Sequence, residues 1–324
     1  MNLSRERLLA ESASLSFRPE ILEKVARLLS LLEAIRKHPN LKERVALKGG
    51  TALNLFLFDV PRLSVDIDLN YIGSADRGAM LAERPEVERA IEVVSQAEGL
   101  AITRAPADHA GGKWRMRYQS VLGGNGNIEV DLNFMFRIPL WPAGPMDSRP
   151  LGHFSAQRVP VLDIHEIAAG KFAALFARHA SRDLFDAHAL LGRSDLDDTR
   201  LRSGFVAIGA MNRKDWRTVT LDDIAFEPQE LQDQLVPVLR NQTREQAGDF
   251  EDWARRLVSE CQQGLERLLP FRDNEREFLD RLLDHGEARP ELITEDPDLA
   301  ERIAGHPLIA WKARNVRQHR GEKP

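Results

Sequence analysis

Apolar residues recur at intervals of three and four over residues 18–38, with charged residues on the opposite face. This spacing predicts an amphipathic helix that turns its apolar face towards a core. The apolar positions are Ile21, Leu22, Val25, Leu28, Leu29, Leu32 and Ile35. We assign no chemistry to this helix. A second amphipathic helix, rich in Glu and Arg, is predicted over residues 75–98.

Alternating apolar and polar residues predict strands further along. Residues 114–121 and 128–136 alternate on either side of a Gly-Asn loop, which predicts an antiparallel hairpin, and residues 100–104 also resemble a strand. From residue 195 the pattern is helical, with predicted helices over 197–210, 228–241, 244–269 and 271–285. The predicted core stripe of the third of these consists of Leu257, Cys261, Leu265 and Leu268.

The stretch from Leu47 to Tyr71 combines a glycine turn, an apolar run and two aspartates one residue apart. In a strand over residues 65–69, Asp66 and Asp68 share one face, while the residues between and beside them face a core. Two such carboxylates repel each other, so a cation must neutralise them. A hard divalent ion with oxygen ligands, Mg²⁺ or Mn²⁺, is the best candidate.

Upstream of the aspartates, Gly49 and Gly50 allow the backbone to approach a ligand closely. Thr51 is predicted to cap a helix over residues 52–58, whose unsatisfied amides are suited to a phosphate. A phosphate site followed by paired carboxylates is typical of metal-dependent nucleotidyl transfer. The alternative is a plain turn followed by a solvated strand face.

The second arm of the predicted hairpin contains Glu129 and Asp131 on one face. If this arm lies beside the strand of Asp66 and Asp68, either residue could complete a three-carboxylate metal site. We favour Asp131. The alternative is that both are solvated residues of an edge strand.

The segment 139–150 contains four prolines and must be irregular. It predicts a boundary between a domain over residues 1–150 and a mainly helical domain over 151–324. Shortly after it, Asp163 and Glu166 have the spacing of a capping box at the start of a helix.

Lys171 lies in that helix among small and apolar residues, with Arg178 two turns along the same face. Arg182, Asp183 and Asp186 follow at helical spacings. One interpretation is an ion-pair network among these five residues. The functional interpretation places Lys171 on a triphosphate, with one of the two aspartates orienting it or assisting the attacking hydroxyl.

Composition restricts the class of protein. The 324 residues are 43% hydrophobic and 29% charged, which is ordinary for a globular protein with a large core. The net charge of −5 means that a nucleic acid would have to bind a local basic patch; candidates are Lys113, Arg115, Arg117 and the basic C-terminal residues 311–323. The alternative for residues 311–323 is a solvated tail.

A single cysteine, Cys261, excludes an internal disulfide framework and fits a reducing compartment. Because no apolar run is long enough to span a bilayer, we expect a cytoplasmic protein without a membrane partner.

Four segments together resemble a known family. LKGGTAL, RLSVDIDL, EIAAGKFAALFAR and SRDLFDAHALL, within residues 45–191, are similar to the AbiEii/AbiGii nucleotidyltransferase toxins of bacterial abortive-infection and toxin–antitoxin systems. The mycobacterial MenT toxins belong to the same family. The resemblance implies an α+β fold with a polymerase β-like nucleotidyltransferase core, a mixed sheet flanked by helices, and a helical C-terminal region.

The resemblance also implies roles for particular residues. The glycine-hydroxyl motif of the family falls on Gly50 and Thr51, its metal-binding acids on Asp66 and Asp68, its lysine on Lys171, the acid of its RDxxD motif on Asp183 or Asp186, and supporting residues of the nucleotide site on Arg62 and Ser64. Thr51 stands where many relatives have serine. No family pattern assigns Asp131.

The implied reaction is transfer of a nucleoside monophosphate from an NTP, with Mg²⁺ or Mn²⁺, to the 3′ end of tRNA. The implied partner is a separately encoded antitoxin. Two alternatives remain at this point: modification of a protein hydroxyl, and binding of a nucleotide or partner without turnover.

Overall fold

The computed structural model describes residues 3–106 and 111–319. The chain divides into two compact units. The first comprises Met1–Arg137, Ala143–Leu162 and Val236–Gly248, and the second comprises Ile138–Pro142, Asp163–Leu235 and Asp249–Pro324. None of the helices in the described part of the chain is long and apolar enough to cross a membrane.

One mixed sheet lies in the first unit. Its strands in the described residues are β1 Val45–Lys48, β2 Asp66–Tyr71, β3 Ala101–Arg104, β4 Gly111–Gln119, β5 Asn125–Asn133, β6 Gly144–Met146 and β7 Val159–Val161. The order across the sheet is β3-β4-β5-β2-β1-β7-β6. The pairs β2–β5 and β1–β7 are parallel and the others are antiparallel. Residue 150, the predicted boundary, lies between β6 and β7, which pair with each other.

The α-helices are α1 Arg5–Leu15, α2 Pro19–Lys37, α3 Gly49–Ala52, α4 Arg77–Ala97, α5 Ile164–Ala177, α6 Ser181–Leu191, α7 Asp198–Ala210, α8 Pro228–Glu230, α9 Asn241–Ala247, α10 Phe250–Leu265, α11 Asp273–Asp280, α12 Pro297–Gly305 and α13 Pro307–His319. Helices α1 to α4 and α9 belong to the first unit and the others to the second. The mixed sheet with flanking helices confirms the predicted α+β class.

The predicted helices α2 and α4 are confirmed, and both pack against the sheet. The apolar stripe of α2 is buried, but so is one charged residue, Glu23, which is fully inaccessible. Its carboxylate accepts hydrogen bonds from Ser120 Oγ at 2.6 Å and Val121 N at 3.1 Å. Glu23 thereby attaches α2 to the turn of the hairpin, which no periodicity in the sequence indicates.

The predicted hairpin is confirmed as β4 and β5, with Trp114 and Val130 fully buried on its inner face. Two helix predictions in the second half of the chain are wrong. The helix predicted over 244–269 is interrupted at Gly248, whose φ of 66° favours glycine, and α10 begins afresh with Asp249 as its N-cap. The helix predicted over 228–241 ends as a 3-10 turn at Val238, after Pro237, which lacks an amide donor. The core stripe of α10 is buried as predicted.

Candidate active site

Four carboxylates lie on adjacent strands of the first unit. Ile67 and Leu69 of β2 are buried, so Asp66 and Asp68 are on the opposite, partly exposed face. In the parallel pairing of β2 with β5, Asp66 lies opposite Glu129 and Asp68 opposite Asp131. Strand β5, the second arm of the predicted hairpin, therefore lies beside β2. A third carboxylate from this arm requires that arrangement.

The surroundings distinguish Asp131 from Glu129. Glu129 accepts hydrogen bonds from Lys113 Nζ at 2.9 Å and from Arg115 Nη2 at 2.6 Å. Burial alone would raise the pKa of Glu129, but these two cations lower it. Burial raises the pKa of Asp131, and the neighbouring charge of Asp68 raises it further. Asp131 and Asp68 therefore repel each other, whereas Lys113 and Arg115 neutralise Glu129 directly.

Helix α2 also contributes to this site. Lys24 Nζ lies 3.8 Å from Asp66 Oδ1, and both side chains are largely shielded from solvent. The sequence prediction assigned no chemistry to this helix, and Lys24 gives it an ion pair with one of the candidate acids. Lys24 borders the apolar stripe, and the sequence gives no indication of which acid it would approach.

The carboxylate of Asp68 leaves no space for a side chain at Gly49. Gly49 has a φ of +73°, and a Cβ atom built on it would lie 2.5 Å from Asp68 Oδ2. No side chain fits there unless the carboxylate moves. The close backbone approach predicted for Gly49 is thus an approach to the carboxylate of Asp68.

The predicted N-cap role of Thr51 is wrong. Lys48 is the N-cap residue of α3, and Thr51 lies inside the helix with no exposed surface. Its hydroxyl donates to the backbone oxygen of Asp66 and is 3.0 Å from Ser64 Oγ. Thr51 and Ser64 therefore fix the beginning of β2, which positions Asp66.

Two further residues of the predicted nucleotide site form hydrogen bonds with nearby residues of the chain. Arg62 is 2% exposed, and its Nη1 donates to the Leu63 oxygen at 3.0 Å. The carbonyl oxygen of Gly50 accepts from Asn54 Nδ2 at 2.9 Å. Both contacts hold the chain between α3 and β2 in place.

The donor set suits a divalent cation in its chemistry, because hard cations prefer carboxylate oxygens. Asp68 and Asp131 are neighbours across the strands, and Asp66 lies two residues from Asp68. Within residues 3–106 and 111–319, however, no three acidic, histidine or cysteine side chains are already arranged around one ion position. Binding of a cation would require these carboxylates to turn towards one another.

The second unit contains the other predicted cluster. Lys171 of α5 is largely buried, and its Nζ lies 2.8 Å from Asp183 Oδ1 and 2.8 Å from Asp186 Oδ2 of α6. Arg178 Nε donates to Asp183 Oδ2 at 2.6 Å. Although burial alone would raise the pKa of Asp183, the charges of Lys171 and Arg178 lower it. The predicted ion-pair network therefore exists among these four residues, and it joins two helices.

The start of α5 differs from the predicted capping box. Asp163 is the N-cap residue and accepts from His165 N at 2.8 Å, as a cap should. Glu166 does not bond back to the cap; its Oε2 accepts from Leu140 N at 2.8 Å. Glu166 is buried, and this hydrogen bond holds the backbone at Leu140, two residues before Pro142.

The basic C-terminal residues are only partly available to a partner. Residues 320–323 lie outside the described residues. Lys312 of α13 is turned inwards, where its Nζ donates to the Ala210 oxygen at 2.8 Å and burial lowers its pKa. Arg317 Nη1 donates to the Gly286 oxygen at 2.8 Å. Through residue 319, this segment is therefore a packed helix, and not a solvated tail.

Comparisons with known proteins agree with this architecture. The family model of the AbiEii nucleotidyl transferase toxins of type IV toxin–antitoxin systems matches residues 30–267. Among solved structures, the chain resembles MenT4, the nucleotidyltransferase toxin Rv2826c from Mycobacterium tuberculosis H37Rv, with a TM-score of 0.63 and 17% identity over 94% of this chain and 99% of that one. At this identity the likeness concerns the fold. No curated protein matches the sequence.

The family match covers all the predicted site residues, from Gly49 to Asp186, and most of both units. The mixed sheet, the paired aspartates of β2 and the buried lysine of α5 all lie within it. The chain belongs to the AbiEii family of nucleotidyltransferase toxins of type IV toxin–antitoxin systems.

Proposed function

We propose that this protein transfers a nucleoside monophosphate from an NTP to the 3′-hydroxyl of a tRNA, with release of pyrophosphate, and that the reaction depends on Mg²⁺ or Mn²⁺. The observation that best supports this proposal is the placement of three carboxylates on two paired strands. Asp68 and Asp131 are cross-strand neighbours, and Asp66 follows along the same face.

In this proposal Asp66, Asp68 and Asp131 hold the divalent cation. A bound cation supplies Lewis-acid polarisation of the phosphoryl oxygens. Gly49 keeps the backbone clear beside Asp68, Gly50 forms the turn of the nucleotide site with it, and Thr51 and Ser64 hold the start of β2 through their hydroxyls. Arg62 supports the nucleotide site from the segment before β2.

The role proposed for Lys171 is to offset the charge of the triphosphate. Asp183 and Asp186 hold its ammonium group by two contacts of 2.8 Å, so that it needs little reordering when an anion arrives. The competing role is structural, since the same contacts join α5 to α6. Transfer activity, measured where a variant of Lys171 is still folded, distinguishes the two roles.

Incubation with each α-labelled NTP, Mg²⁺ and total tRNA tests the proposed reaction. We expect label in the tRNA band, and none when the 3′-terminal diol has first been oxidised with periodate. Asp68→Asn and Asp131→Asn should each reduce transfer by at least about 100-fold, since each removes a carboxylate charge that would hold the divalent cation beside the transition state. The matched control is Asp59→Asn, which removes one carboxylate of the same unit whose side chain is 93% exposed.

The other outcomes decide between the alternatives. Label on a protein band would replace tRNA by a protein hydroxyl as the acceptor. Nucleotide binding without labelled product would indicate a binding protein. Transfer by Asp131→Asn at the rate of Asp59→Asn would remove Asp131 from the metal site.

A further inference from the structure

The exposed face of β3 and β4 is basic, although the whole chain is acidic. Lys113, Arg115 and Arg117 alternate along β4 with the buried Trp114, Met116 and Tyr118, so the three cations share the outer face. Arg104 of β3 lies opposite Arg115. This row of four cations stands out in a protein whose net charge is −5.

The basic face adjoins the carboxylates of the candidate site. Lys113 lies opposite Asp131, and Arg115 lies opposite Glu129, which is in turn opposite Asp66. Moving along β4 from Lys113 to Arg117 therefore leads away from the acids, with a cation at every second residue. Alternate residues of a strand are about 6.6 Å apart, which is comparable with the spacing of successive phosphates in an extended single strand.

These cations differ in their partners. Lys113 and Arg115 are 50% and 55% exposed and both bond to Glu129. In the described part of the chain, the side chains of Arg104 and Arg117 form no hydrogen bond or ion pair. Arg104 and Arg117 are thus fully available to an anion, whereas Lys113 and Arg115 share the carboxylate of Glu129.

We propose that the outer face of β3 and β4 binds the phosphodiester backbone of the acceptor RNA strand, with its 3′ end nearest Lys113. This inference rests on the proposed function, since it concerns the acceptor of that reaction. Regularly spaced cations recognise a phosphate backbone independently of base sequence, whereas a protein partner would require apolar contact area. Glu129 forms ion pairs with Lys113 and Arg115, and its negative charge repels the phosphates. It therefore limits the affinity for RNA.

Binding of a fluorescent single-stranded RNA ending in CCA, followed by anisotropy without NTP, tests this proposal. Arg104→Gln and Arg117→Gln should each weaken binding by about threefold, and each should reduce the slope of log K against log salt by about 0.7. Arg89→Gln is the matched control, because it removes one exposed arginine of the same unit that lies on α4 and not on β3 or β4. Glu129→Gln should change the affinity in the opposite direction and bind RNA about threefold more tightly.

Equal binding by Arg117→Gln, Arg104→Gln and Arg89→Gln would overturn the proposal, as would weaker binding by Glu129→Gln. Thermal unfolding of each variant shows that it is folded. Transfer assays separate the two proposals. Label in tRNA at unchanged KM for tRNA in the arginine variants would refute this surface and leave the reaction intact. RNA binding that depends on these arginines, without any labelled product, would refute the reaction and leave the surface intact.

Discussion

At the scale of single residues, the candidate site is organised by close contacts of the backbone with carboxylates. Gly49 has no side chain because Asp68 Oδ2 occupies the space that a Cβ would need. Thr51 has a hydroxyl because the carbonyl group of Asp66 needs a donor in a buried position. Gly49 and Thr51 are therefore each explained by the aspartate that they contact.

A pair of glycines makes this explanation testable. Gly49 and Gly99 have nearly equal φ values, +73° and +76°, but an added Cβ meets nothing within 4 Å at Gly99. Alanine at either position should lower the free energy of unfolding by about 1 kcal/mol through backbone strain. Only Gly49→Ala should also abolish nucleotidyl transfer, because it displaces the carboxylate of Asp68.

Chemical denaturation and the transfer assay, performed on both variants, check this prediction. Full activity in Gly49→Ala would mean that the carboxylate of Asp68 can move without consequence, and would argue against a metal ligand at this position. Loss of activity in Gly99→Ala would show that strain alone accounts for the effect.

At the scale of elements, the ion pairs of α5 and α6 stabilise a helix pair. Lys171 is surrounded by two carboxylates that are 3% and 0% exposed. Removing one partner from a buried ion pair leaves an uncompensated charge, which costs more than the pair itself contributes. Spacing in the sequence suggests pairs within one helix, whereas the structure forms them between two.

Lys171→Ala should therefore lower the free energy of unfolding by about 3 kcal/mol. Lys37→Ala, at a lysine that is 63% exposed and bonded to Glu33, should change it by less than about 1 kcal/mol. Urea denaturation measures both. Relief of toxicity by Lys171→Ala in cells is not sufficient evidence for a catalytic role, since an unstable toxin is also harmless.

The discriminating measurement is transfer at a temperature where Lys171→Ala is still folded. Loss of activity there supports contact with the triphosphate, and retained activity supports a purely structural lysine. A variant as stable as Lys37→Ala would contradict the stability argument.

Strands and helices with a regular spacing of apolar residues could be predicted from the sequence. The elements beside which they lie could not. The alternation in residues 114–121 and 128–136 identifies β4 and β5, because one face of each strand is buried. The position of β5 beside β2 depends on a parallel pairing between distant segments, for which no local pattern exists. Lys24, which reaches Asp66 from α2, was missed for the same reason.

At the scale of the whole molecule, each unit is assembled from separate segments of the chain. Residues 236–248 return to the first unit, where the Leu63 amide donates to the Val238 oxygen at 2.9 Å. The proline segment 139–150 was the indication of a boundary in the sequence, and it marks one of these crossings. Because the chain divides into two units, the opening of each unit needs its own probe. Cys261 is such a probe in the second unit.

Cys261, the only cysteine of the chain, is fully buried on α10, with its Sγ 3.8 Å from the Leu184 oxygen of α6. Burial raises the pKa of its thiol to about 12, so at pH 8 only about one molecule in ten thousand carries a thiolate. We expect an aromatic disulfide reagent to label the native protein only through opening of the second unit.

Leu257→Ala, one turn earlier on the same buried stripe, should lower the free energy of unfolding by about 2 to 5 kcal/mol and accelerate labelling of Cys261 by at least tenfold. Arg255→Ala, at a side chain that is 59% exposed, should leave the rate unchanged. Immediate labelling of the native wild type would show that this stripe is open to solvent, whereas equal rates in Leu257→Ala and Arg255→Ala would show that labelling does not require the core of α10 to open.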